Sequence, residues 1–217
     1  MQGKIQRDPK GMTIVELIVS IVIISIILGL LLPAVQMARE AARRVTCSSH
    51  ARQVAFGILD YELSRRKFPS NDSLAWTQQI AFQTGEVEYN TLALADASEK
   101  EQERLLNLLP KLYSCPSAQI KLADNHPSSF YGINSRLLGG MVNEILDGTS
   151  NTLLVGELQP VFGAPWVLGP TVNEIYFGSD HHGGSHVTFA DGSVRFFAAE
   201  ADSQELLAIL TPADGEQ

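Results

Sequence analysis

Between Glu16 and Arg39 lie 22 residues without an ionisable side chain, and Ser20, Ser25 and Gln36 carry the only polar groups. A helix lying on a soluble protein keeps one polar side. This run has none and is long enough for a bilayer core of about 30 Å, which predicts a transmembrane helix over about 14–38. Beyond it the apolar positions narrow to stripes. Ala34, Ala38, Ala41, Val45 and Ser48 form one, and Cys47, Ala51, Val54, Ala55 and Ile58 a second, at helical spacing. The helix is therefore expected to run over 12–68, roughly 80 Å at 1.5 Å per residue, stopping at Lys67-Phe68-Pro69 because the residue before proline resists the helical conformation. Its second half should bury the Cys47 stripe.

The pattern then changes. Asp72 or Ser73 could cap a helix through Phe82, and Ser98-Glu99-Lys100-Glu101 reads as a capping box for a helix ending near Pro110. Phe130-Tyr131-Gly132, Thr152–Val155, Trp166-Val167-Leu168 and Glu174–Phe177 read as short strands. His186–Phe189 and Val194–Phe197, joined through Asp191-Gly192, form the best hairpin. A last helix is expected from Gln204 to Leu210. The fold class is α+β: one long N-terminal helix packed on an antiparallel sheet, with short extra helices, the head occupying 69–217.

Charge sharpens this picture. Lys4, Arg7 and Lys10 precede the span against Asp8, an excess that keeps an N-terminus cytoplasmic. Arg39, Arg43 and Arg44 just beyond the span oppose that rule. They can snorkel to lipid phosphates or pair with acidic groups outside the span. Net charge is −8, and losing residues 1–11, with three cations and one anion, takes it to −10. So acidic a head argues against nucleic-acid binding. Cys47 and Cys115 both lie beyond the span, on the side where disulfides persist, and are expected to pair; two buried thiols are the alternative, and two cysteines without paired ligand spacing make a poor zinc site.

Gly11 is followed by four residues and then Glu16, in Gly11-Met12-Thr13-Ile14-Val15-Glu16-Leu17. This resembles the cleavage and methylation signal of type IV prepilins and of type II secretion pseudopilins. The resemblance implies that a membrane prepilin peptidase cuts between Gly11 and Met12 and methylates the new amine, making 1–11 a leader. Met12 stands where phenylalanine is usual. It also implies a role for Glu16: its carboxylate pairs with the amine of a neighbouring subunit in a filament, offsetting its desolvation. Pro33 matches a proline that pilins carry, where the helix can kink. An ordinary secretory signal would have a shorter apolar core and a small-x-small site, which this segment lacks.

His181 is followed by nine residues and Asp191-Gly192. Together with Tyr113–Ser117, Asp147-Gly148-Thr149-Ser150-Asn151-Thr152 and Glu157, this resembles a bacterial family of unknown function with a prepilin-like start and a His-(nine residues)-Asp-Gly signature. His182 and His186 depart from its pattern. Read as chemistry, Asp180, His181, His182, His186 and Asp191 suggest a metal site and a hydrolase, against a histidine that simply locks a loop to the hairpin. Asp147 and Asn151 are weak calcium ligands, against an Asx or Ser/Thr turn. No catalytic triad, phosphate loop or cofactor fingerprint stands out. The expected protein is a non-enzymatic pilin-like subunit, single-pass in the inner membrane with its head outside. Its partners would be prepilin peptidase, other pilin-like subunits, the secretion or pilus machinery and membrane lipid. The alternative is a membrane-anchored binding module or metal-dependent enzyme that never polymerises.

Overall fold

The computed structural model describes residues 11–72, 74–85, 98–107, 110–117, 129–158, 168–172, 178–179, 181, 183–198 and 203–213. Helix α1 spans Ile14–Arg65 and contains Pro33, whose missing N–H leaves one carbonyl without its helical donor. Arg66 ends it in the left-handed conformation (φ 60°), with its N–H on the Glu62 carbonyl at 2.6 Å. The chain divides into two compact units, Met1–Ala42 and Arg43–Gln217.

In the first unit the side chains of α1 stand uncovered from Ile14 to Val35, and α1 is long and apolar enough to cross a membrane. Ser20 and Ser25 donate their hydroxyls back to the carbonyls of Glu16 and Ile21, both at 2.7 Å. Their polarity is thus absorbed within the helix, as a hydrocarbon environment requires.

The second unit is a sheet between helices. Its described strands are β1 (Tyr131–Asn134), β2 (Leu153–Glu157), β3 (Thr171–Val172), β4 (Gly184–Phe189) and β5 (Val194–Ala198), in the order β3-β1-β2-β4-β5. All neighbours pair antiparallel except β1 and β3, so the sheet is mixed. On one face Ala51, Val54, Ala55 and Ile58 of α1 pack with Trp76, Tyr113, Tyr131, Ile133, Leu154 and Val155. A register shift between Leu153 and Val155 lets two successive residues of β2 join that core. On the other face Leu153, Val187 and Phe189 pack with Leu206, Ile209 and Leu210 of α5 (Ser203–Leu210). Each fully buried side chain of this kind contributes about 1.5–3 kcal/mol. Asn134, buried, ties the layers: its Nδ2 donates to the carbonyls of Leu153 (2.9 Å) and Leu210 (2.8 Å).

Three local expectations change. The helix after Pro69 is two single turns, α2 (Trp76–Gln79) and α3 (Ala81–Thr84). Asn71, not Asp72, holds its start, accepting the Trp76 N–H at 2.9 Å and donating to the Gly169 carbonyl at 2.9 Å. The hairpin loop has three residues: the Gly192 N–H meets the Phe189 carbonyl, and the Phe189 N–H meets that of Ser193, both at 2.9 Å. Only Gly192 is left-handed there (φ 82°), a type I turn with a glycine bulge. Helix α4 (Glu99–Leu106) begins directly after Ser98. The expected strand at Glu174–Phe177 and residues 166–167 lie outside the described residues, and Leu168 is not in a strand.

Candidate functional site

Two places concentrate chemistry. The first opens α1. Gly11, Met12 and Thr13 are exposed and precede the helix, so the Gly11–Met12 bond lies in irregular, accessible backbone. Thr13 caps the helix. Its hydroxyl accepts the Glu16 N–H at 3.3 Å, and the Glu16 carboxylate accepts both the Thr13 N–H and hydroxyl at 2.8 Å. This reciprocal capping box gives the acid at the N-terminal edge of the span two local donors. It also holds that acid within a turn of Met12.

The second is a row across four strands on the sheet face that α1 covers. Tyr131 of β1 pairs with Glu157 of β2. The Glu157 carboxylate accepts the backbone N–H of His186 on β4 at 2.8 Å, and its other oxygen lies 3.1 Å from His186 Nδ1. An ionised carboxylate only accepts, which assigns the proton to Nδ1. His186 in turn pairs with Phe196 of β5, ring centroids 5.1 Å apart. Two residues of α1 roof the row. The Tyr131 hydroxyl donates to the Cys47 carbonyl at 3.1 Å, and the Arg44 guanidinium sits over the Phe196 ring at 5.2 Å. Burial first, and the charge of Glu157 second, hold the Tyr131 phenol well above its ordinary pKa. It therefore stays a donor.

One end of the row meets a disulfide. Cys47 and Cys115 are bonded, Cα atoms 5.4 Å apart, and clamp α1 to the segment before the sheet. His181 Nε2 stands between Cys115 Sγ (3.5 Å) and Glu157 (3.7 Å). Its backbone N–H donates to Ser179, whose own hydroxyl binds the Gly184 carbonyl at 2.7 Å. Gly184 has to be glycine: its φ is 154°, and a Cβ there would collide with the Phe197 carbonyl. Glu157, His181 and His186 are 1%, 5% and 7% exposed, so the cluster is sealed.

Residues 6–32 match the prokaryotic N-terminal methylation motif. Residues 36–136 and 163–204 match a family described as protein of unknown function (DUF1559). The chain belongs to the DUF1559 family. No match was found among curated proteins, and none among solved structures. The methylation motif marks a prepilin-like chain of the kind prepilin peptidase processes, joined here to a DUF1559 head with a pilin-like α+β fold.

Within this DUF1559 head the described members of the expected metal set fall into two places, His181 with His186 and Asp191 apart from them. Asp191 sits at the hairpin tip, where its carboxylate accepts the Ser193 N–H at 2.8 Å. Asp180 and His182 lie outside the described residues. His181 and His186 do meet, but around Glu157, which the sequence offered only as part of a family block. An acid ending an apolar strand was the available signal, since burying it demands donors. Asp147 and Asn151 form a turn: Asn151 donates its side-chain amide to the Asp147 carbonyl at 3.0 Å and its N–H to that of Gly148 at 3.0 Å. This is the turn that stood as the alternative reading of the pair. Arg43 donates to Ser117 at 3.2 Å, so Arg43 and Arg44 both engage their own head.

Proposed function

We propose that this DUF1559 chain is a pilin- or pseudopilin-like structural subunit. Prepilin peptidase removes 1–11, and the matured chains assemble through the apolar part of helix 12–68 into a type IV pilus- or type II secretion-like filament. The head, 69–217, stays extracytoplasmic and the unassembled subunit spans the inner membrane once. The single observation behind this reading is a capped, exposed Gly11–Glu16 segment opening an apolar helix that nothing in its own unit covers. Cleavage frees the Met12 amine within a turn of Glu16. In a stack of subunits each carboxylate exchanges its Thr13 donors for a neighbour's amine, a charge-assisted contact that fixes axial register. Sealed as it is, the Glu157 cluster serves the head's architecture in this reading, and the subunit is not an enzyme.

Replacing Glu16 by Ala tests assembly. Cross-linking in membranes should lose the subunit ladder while processing and head folding persist. An unchanged ladder favours the second reading, a membrane-anchored binding module or metal-dependent enzyme, which draws its support from the acid and two histidines gathered at the disulfide.

A further inference from the structure

We propose that Cys47 Sγ, Cys115 Sγ, His181 Nε2 and one Glu157 oxygen form a zinc-type site once the disulfide is reduced. The same two sulfurs then serve either as a covalent staple or as metal ligands. This does not rest on the pilin reading. The four donor atoms lie within 4.8 Å of one another and all four residues are buried. Tetrahedral zinc, with bonds of about 2.0–2.3 Å, sets its ligands about 3.3–3.8 Å apart. His181 Nε2 already lies 3.5 Å from Cys115 Sγ and 3.7 Å from Glu157. Two thiolates, an imidazole and a carboxylate suit zinc rather than the hard, all-oxygen-preferring calcium or magnesium. The supporting shell is in place: His186 fixes both Glu157 oxygens through its N–H and Nδ1, and Ser179 holds the His181 backbone. The four ligands come from four separate segments, so a metal would clamp α1 to the sheet as the disulfide does.

The chemistry balances with a phosphine as reductant. It passes two electrons to the S–S bond, water supplies the two thiol protons and the oxygen of the phosphine oxide, and the bond opens to two thiols. Zinc then binds both sulfurs and releases their protons. Binding needs the His181 proton on Nδ1, leaving the Nε2 lone pair free. A small-molecule disulfide closes the cycle: by exchange it takes up the two electrons and leaves as two thiols, the Cys47–Cys115 bond re-forms and the ion is expelled.

The test is a cobalt(II) titration of the full-length chain in detergent, without air, before and after phosphine treatment. The reduced chain should bind one cobalt with the intense visible bands of a tetrahedral site and thiolate charge transfer, displaced by zinc. The oxidised chain should show neither. His181→Gln and Glu157→Gln should each weaken binding by at least about tenfold; Cys47→Ser should roughly halve the thiolate charge-transfer band, and Cys47→Ser with Cys115→Ser should remove it. Pale octahedral bands alone, affinity unchanged from wild type in both the His181 and Glu157 variants, or equal binding by the oxidised chain would overturn the proposal. Should reduction unfold the head, zinc must restore its near-ultraviolet dichroism; no recovery overturns it equally.

Discussion

The two halves of α1 obey opposite rules. From Ile14 to Val35 the helix is apolar on every side and its side chains are uncovered. From Cys47 to Ile58 the stripe Cys47, Ala51, Val54, Ala55 and Ile58 is buried under its own head, and the rest of the surface is polar apart from the exposed Phe56. Propensity does not separate them, since both are helical. What differs is the solvent each was written for: an apolar medium for the first, this chain's own sheet for the second. One continuous helix thus carries an external contract and an internal one, and Arg39–Arg44 mark the change between them.

A single buried charge breaks this comparison most sharply. Ile58→Asp, in the fully buried stripe, should cost the head about 3–5 kcal/mol, read as a lower denaturant midpoint. The matching change in the other half, Ile24→Asp, should leave that midpoint in place. It should instead lower membrane retention, by about 2.5–3.5 kcal/mol of insertion free energy, read by carbonate extraction. Equal effects of both on head stability would erase the distinction.

Next in size is the disulfide, which belongs wholly to the inner contract. Its sequence separation is 68, and closing such a loop stabilises by about 4 kcal/mol in the chain-entropy picture. Cys47→Ser with Cys115→Ser should lower head stability by that order, with extraction unchanged. Glu157→Leu should follow at about 3 kcal/mol, since the His186 N–H and Nδ1–H would lose their acceptors in a sealed site.

The smallest effect sits at the hairpin tip. Partial burial pushes Asp191 up, but the Ser193 hydrogen bonds and the charge of Arg195 outweigh it, so its pKa is lowered from the ordinary 3.8. A depressed folded-state pKa stabilises above the unfolded value and is lost as pH falls through the folded one. Asp191→Asn should therefore destabilise by a few tenths of a kcal/mol near neutrality, as an exposed turn residue does. The difference from wild type should shrink as pH falls below 3.8 and be gone only below the lowered folded-state value.

How much of this could be read in advance follows from locality. The apolar run, the Cys47 stripe, the Ser98 helix start and the hairpin around Asp191-Gly192 are set by neighbours within a turn or two, and the sequence displays them. Asp191 was legible as a turn residue but not the loop length, because Ala190 joins the turn through bonds between Phe189 and Ser193. Likewise Asn71 rather than Asp72 holds α2, since its amide also reaches the Gly169 carbonyl far along the chain. Glu157 left a signal as an acid ending an apolar strand, but its grouping with Tyr131, His186 and Phe196 did not. Its members sit on four strands and become neighbours only when register is set, and register depends on the whole sheet. Strand β3 adds parallel to β1 for the same reason: two residues, Thr171 and Val172, carry no periodic signal of their own.

The most direct test of a prepilin-type chain is the mass of its mature N-terminus. Purified from membranes that contain prepilin peptidase, the protein should begin at Met12 and carry one added methyl on that amine. A mature, functional chain that retains residues 1–11 would contradict it.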